Sequence, residues 1–83
     1  GNIHTNVMVD YKQPGAKRRS EKALDELFAQ VIAWGGSITG EHGIGLAKQR
    51  WWPLAVSKEV RELHRTVKRA LDPRGILNPG KFV

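Results

Sequence analysis

The sequence predicts an α+β fold: a small antiparallel sheet with two helices on one face, half of a ferredoxin-like arrangement, followed by an irregular turn-rich C-terminal tail. Three observations predict it. Apolar and polar residues alternate from Asn2 to Asp10, two later stretches carry apolar residues at helical spacing, and a glycine-rich segment with a short β-branched run lies between those stretches.

In the first element, Ile3, Thr5, Val7 and Val9 fall on one face of a strand, with Asn2, His4, Asn6 and Met8 on the other. Gln13-Pro14-Gly15 and the run Lys17-Arg18-Arg19 have the composition of a loop leading into a solvated helix start. Ser20 is placed to cap that helix. Leu24, Leu27, Phe28, Val31 and Ile32 then form its apolar stripe up to Trp34, and Gly35-Gly36 stops it. Ser37-Ile38-Thr39 and the glycines at 40, 43 and 45 predict strand, loop, strand around a tight turn or hairpin. A second helix is capped by Ser57, carries Val60, Leu63, His64, Val67 and Leu71 as its apolar stripe, and ends at Asp72-Pro73, because proline disfavours helical geometry in the residue before it. Asp72-Pro73-Arg74-Gly75 has the residue order of a type I turn, and Asn78-Pro79-Gly80 is a second turn signal.

A chain of 83 residues makes one small domain with a modest core, since a domain of this size buries only about 60% of its unfolded surface. With 40% hydrophobic residues it is nonetheless too apolar for intrinsic disorder. The absence of cysteine excludes a disulfide framework and a thiolate metal site, so any metal must be held by His and carboxylate groups. No apolar run is long enough to span a membrane and no signal-peptide pattern opens the chain, so a soluble, cytoplasmic protein is expected. The chain begins at Gly1 without Met and enters strand-like sequence at once, as expected of a piece of a longer protein. The net charge of +6 would suit an acidic partner, and Arg61, Arg65, Lys68 and Arg69 flank one helix, but no aromatic residues alternate with them. Nucleic acid is therefore not the expected partner. A small basic binding module remains the rival from another class, and a purely structural cap without metal is the third reading.

Two groups of residues bear on chemistry. His4 and Asn6, two apart in a strand, leave the same face and could converge on one ligand; the same pattern suits a solvated strand face. Glu41-His42 sits between glycines in Thr39-Gly40-Glu41-His42-Gly43-Ile44-Gly45. Glycines permit close backbone approach to a substrate or cofactor, and an adjacent carboxylate and imidazole can serve as metal ligand and general base. A hairpin tip with exposed charge fits equally, and the spacing alone leaves both open. His64 falls on an apolar stripe and is read as a packed structural residue. Trp51-Trp52 is read as packing beneath the hairpin or as a face toward another domain, and in the isolated chain such a face would drive self-association.

Gly1-Asn2-Ile3-His4, Gly40-Glu41-His42-Gly43-Ile44-Gly45 and Leu71-Asp72-Pro73-Arg74-Gly75-Ile76-Leu77-Asn78-Pro79-Gly80-Lys81 occur in this order over nearly the whole chain. Together they resemble the C-terminal segment of the FAD-linked oxidase family, which includes flavoproteins of the glycolate oxidase, D-lactate dehydrogenase and D-2-hydroxyglutarate dehydrogenase type. The resemblance implies that residues 1–83 are the C-terminal part of a cap domain, with a tail from about 72 to 83 that returns to an FAD domain of vanillyl-alcohol-oxidase type. It implies oxidation of a D-2-hydroxy acid by FAD, with His4 and Glu41 as ligands of a divalent metal, usually zinc, Asn6 on the substrate, His42 as base and Asn78 near the flavin. In metal-binding members another His precedes Gly-Asn-x-His by a few residues, a position before Gly1 here. The stretch from Leu46 to Trp52 follows the family pattern only loosely. The isolated chain is expected neither to hold FAD tightly nor to turn over.

Overall fold

The computed structural model describes residues 1–82, so Val83, the last residue of the expected tail, lies outside the described residues. Three helices are present: α1 (Ala16–Ala33), α2 (Trp52–Ala55) and α3 (Lys58–Leu71). No strand occurs among the described residues, which corrects the expected α+β class and its antiparallel sheet. The chain divides into two compact units, Gly1–Gly40 and Glu41–Val83.

In the first unit, the alternating segment from Asn2 to Asp10 is irregular. The alternation satisfies the side-chain requirement of a strand, but a strand also needs a ladder of backbone hydrogen bonds to a neighbouring strand, and no strand occurs among the described residues to supply one. Ile3 and Val7 are 86% and 42% exposed, so the face expected to be core-like is largely unburied. Val7, Val9 and Asp10 line an open depression of about 250 Å³ with Gln13, Ala16 and Arg19 of the α1 start.

Helix α1 begins earlier than its sequence signals. Gly15, at φ 72°, is its N-cap, and Ser20 lies inside the helix, buried, with its hydroxyl donating to the Lys17 carbonyl at 2.8 Å. Such back-bonding to the preceding turn is the alternative to capping that serine has in a helix. The expected stripe of Leu24, Leu27, Phe28, Val31 and Ile32 is half-buried. The end is a complete Schellman motif: Gly35 is left-handed at φ 72°, its amide donates to the Ile32 carbonyl at 2.9 Å, and the Gly36 amide donates to the Val31 carbonyl at 2.9 Å.

In the second unit, Gly43 and Gly45 have positive φ, but no hairpin forms at 40–45 and the strand-loop-strand expectation is replaced by turns. The Lys48 amide donates to the Ile44 carbonyl and the Trp51 amide to the Lys48 carbonyl, carrying the chain through successive tight turns into α2. Ile44 and Trp51 are buried, and the Arg50 guanidinium lies 4.2 Å from the Trp51 ring centroid. Trp52, His64 and Phe82 form an edge-to-face trio with centroid distances of 5.1, 5.0 and 5.3 Å, which fastens α3 and the tail together. His64 is thus a packed residue, as its place on the stripe predicts.

Helix α3 begins where the sequence places it: Ser57 Oγ accepts from the Val60 amide at 3.2 Å, with Glu59 in the first turn and Lys68 and Arg69 in the last. It ends at Leu71. The Gly75 amide donates to the Asp72 carbonyl at 3.0 Å and the Lys81 amide to the Asn78 carbonyl at 3.2 Å, closing the two expected turns.

Candidate functional site

Glu41 and His42 follow Gly40 and precede the left-handed Gly43, so both sit on a glycine-bounded turn, and both side chains are exposed. His42 Nε2 lies 3.5 Å from Glu41 Oε1. Two ligand atoms held 2.0–2.1 Å from one tetrahedral ion stand about 3.4 Å apart, so this oxygen–nitrogen pair has the chemistry and spacing of two neighbouring ligands. The structure brings these two predicted residues together within one unit.

His4 and Asn6 belong to the other unit and are exposed on the irregular N-terminal segment. The strand geometry that would set both side chains on one face is absent from this segment. Their segment is nevertheless placed: a Cβ added at Gly40 would stand 2.5 Å from Asn2 Oδ1 and 2.8 Å from its Cγ, so the Asn2 carboxamide lies against the Gly40 backbone in a space only glycine leaves open.

Asn78 is exposed and is, among the described residues, the non-glycine residue with positive φ, 45°. Asparagine tolerates this left-handed region better than most residues, and with Pro79 and the left-handed Gly80 behind it the turn displays a carboxamide able to donate and accept.

The anchors of that turn were not legible as functional residues. Asp72, buried, accepts from the Ile76 amide through Oδ1 at 3.0 Å and from the Leu77 amide through Oδ2 at 3.0 Å. Lys68 Nζ donates both to Asp72 Oδ2 and to the Leu77 carbonyl, each at 2.6 Å. The Lys68 hydrogen bond holds the Asp72 carboxyl below the usual carboxylate range; burial opposes this, and the Leu77 and Ile76 amides add to it. Lys68 four residues before Asp72 was the signal that a helix-end ion pair offers. Gln49 Nε2 donates to the Gly80 carbonyl at 2.8 Å, a contact 31 residues apart in sequence that no local pattern announces.

The cationic flank of α3 is largely engaged within the unit. Arg65 pairs with Glu62 at 2.6 Å, Lys68 with Asp72, and Arg69 donates to Thr66 Oγ1 at 3.3 Å. Among the described residues no helix is long and apolar enough to cross a membrane.

The chain belongs to the family of FAD linked oxidases, C-terminal domain, whose model matches residues 1–82. It is 41% identical over 82 residues to the glycolate oxidase subunit GlcD of Bacillus subtilis, covering 99% of this chain and 17% of that protein. It is 40% identical over 84 residues to the GlcD subunit of Escherichia coli K12, covering 100% of this chain and 17% of that one. It is 31% identical over 83 residues to the mitochondrial D-lactate dehydrogenase [cytochrome] of Arabidopsis thaliana, covering 100% of this chain and 15% of that protein. The chain thus spans about a sixth of the length of the relatives it matches. No solved structure matches it.

Proposed function

We propose that this chain is the C-terminal part of the cap domain of an FAD-dependent oxidoreductase that oxidises a D-2-hydroxy acid of the glycolate or D-lactate type. The observation that carries the reading is the Glu41–His42 pair, a carboxylate oxygen and an imidazole nitrogen 3.5 Å apart on a glycine-bounded turn, in a chain of this family. FAD, bound mainly by a preceding domain, supplies the hydride acceptor. A divalent ion, zinc by the nitrogen and oxygen donors available, supplies Lewis-acid polarisation of the substrate hydroxyl.

Within that assignment Glu41 and His4 hold the ion, Asn6 hydrogen-bonds the substrate, and His42 Nε2 takes the hydroxyl proton as hydride leaves C2. Glu41, beside His42, stabilises the imidazolium that this transfer creates. Asn78 contacts the flavin. A cytoplasmic location and a complementary FAD domain as partner belong to the same proposal.

The pair's spacing favours a second role for His42, as a ligand on the same ion as Glu41. Measuring metal content and turnover together on His42→Ala in the full-length flavoprotein separates the two. The base assignment expects metal retained and oxidation of glycolate or D-lactate reduced by a factor on the order of 10² to 10⁴; the ligand assignment expects both to fall. Undiminished turnover would remove His42 from the chemistry, and wild-type protein free of metal by elemental analysis would favour a purely structural cap. The engaged cations of α3 leave the basic binding module without comparable support.

A further inference from the structure

The turn carrying Asn78 is held from both sides by side chains that come from elsewhere in the unit. On its N-terminal side, Lys68 Nζ occupies the Leu77 carbonyl at 2.6 Å and Asp72 occupies the Leu77 amide at 3.0 Å. On its C-terminal side, Gln49 Nε2 occupies the Gly80 carbonyl at 2.8 Å, and the Phe82 ring packs on Trp52 and His64. Between these anchors stand Asn78 and Pro79, and none of these contacts uses the Asn78 side chain. Glycine would adopt φ 45° with no steric cost, so what asparagine adds at this position is its carboxamide.

We infer that Gln49, Lys68 and Asp72 are positioning residues that fix the exposed Asn78 carboxamide for contact with a bound polar heterocycle, the flavin on the reading above, on which this inference rests. A flexible turn would have to be ordered on binding, and pre-ordering it removes that cost from the affinity. Three side chains spent on two carbonyls and an amide next to one exposed asparagine is the arrangement such pre-ordering requires.

The experiment uses the flavin-loaded full-length protein and reads FAD dissociation and the visible absorption of the flavin. Asn78→Ala is expected to weaken FAD binding about tenfold, the size of one well-formed hydrogen bond, and to shift the absorption band. Gln49→Leu is expected to give a smaller change of the same kind, roughly threefold, because the turn loosens without losing its carboxamide. The double variant is expected to match Asn78→Ala alone, since a residue that acts only through Asn78 has nothing further to lose. Lys68→Met is read in the same way, so that misfolding of one variant does not decide the matter. If Asn78→Ala changes both readouts but the effects of Gln49→Leu and Lys68→Met multiply with it, the positioning role is overturned while the flavin contact stands. If Asn78→Ala changes neither readout, the flavin contact and the positioning role fall together.

Discussion

At Gly40 an added methyl group would test how freely a neighbouring side chain moves. A Cβ there would meet the Asn2 carboxamide at 2.5 to 2.9 Å, closer than real Cβ atoms approach anything, and the atoms in the way are the end of an exposed side chain that can turn to another rotamer. Gly40→Ala is therefore expected to cost no more than about 1 kcal/mol, with Asn2 turned aside. Urea unfolding followed by circular dichroism measures that cost; a much larger loss would show that Asn2 does not yield. Asp72 gives a residue-scale prediction in pH. Its native carboxyl is held below the usual range by Lys68, so the folded state favours the carboxylate more than the unfolded chain does. The stability this contributes is fully present above the usual carboxylate range and is lost as pH falls through the lowered native value. Asp72→Asn is expected to lower the urea midpoint at neutral pH and to flatten its fall in acid. A variant with the wild-type acid profile would assign that fall to other carboxylates.

At the scale of elements, what could be read from the sequence was what neighbours in sequence decide. The start of α3 follows from Ser57, whose hydroxyl meets the Val60 amide three residues on, and its end follows from Asp72-Pro73. Ser57→Ala should cost about 1 kcal/mol, seen as a lower urea midpoint with helix signal lost first; an unaltered midpoint would mean that water caps the helix equally well. The candidate pair Glu41-His42 was legible for the same reason, being adjacent in sequence and bounded by glycines. The expected strands are not formed, because alternation from Asn2 to Asp10 describes side chains while a strand is made by a partner's backbone, and Ile3 and Val7 of the core-like face stay exposed. Ser20 misled because serine serves inside a helix as readily by bonding back to Lys17 as by capping. The Gln49 anchor was invisible because it spans two turn-rich regions with no periodicity to link them.

At the scale of the whole molecule, two opposing effects set how the chain behaves alone. The buried apolar residues are Ala16, Ile38, Ile44 and Trp51, and no described side chain is fully buried. The α3 stripe, by contrast, leaves Leu63 61%, Val67 50% and Leu71 78% exposed, and Leu77 in the following turn is 57% exposed. Covering each such side chain is worth about 1.5–3 kcal/mol, so a second surface laid on them gains several kcal/mol. Against this stands a net charge of +6, which repels a second copy at low ionic strength. Salt weakens the repulsion, since the screening length falls to about 8 Å at physiological ionic strength, and leaves the apolar gain in place. Sedimentation velocity on the isolated chain should therefore show self-association that strengthens as salt is raised, the opposite sign from contact with a polyanion, which salt dissolves. Leu63→Lys with Leu71→Lys removes two of the apolar contacts and adds two charges, and should weaken association at least tenfold at any salt concentration. A chain that stays monomeric through the whole salt range, or that associates equally well with both lysines in place, would show that the exposed stripe of α3 is not the adhesive surface.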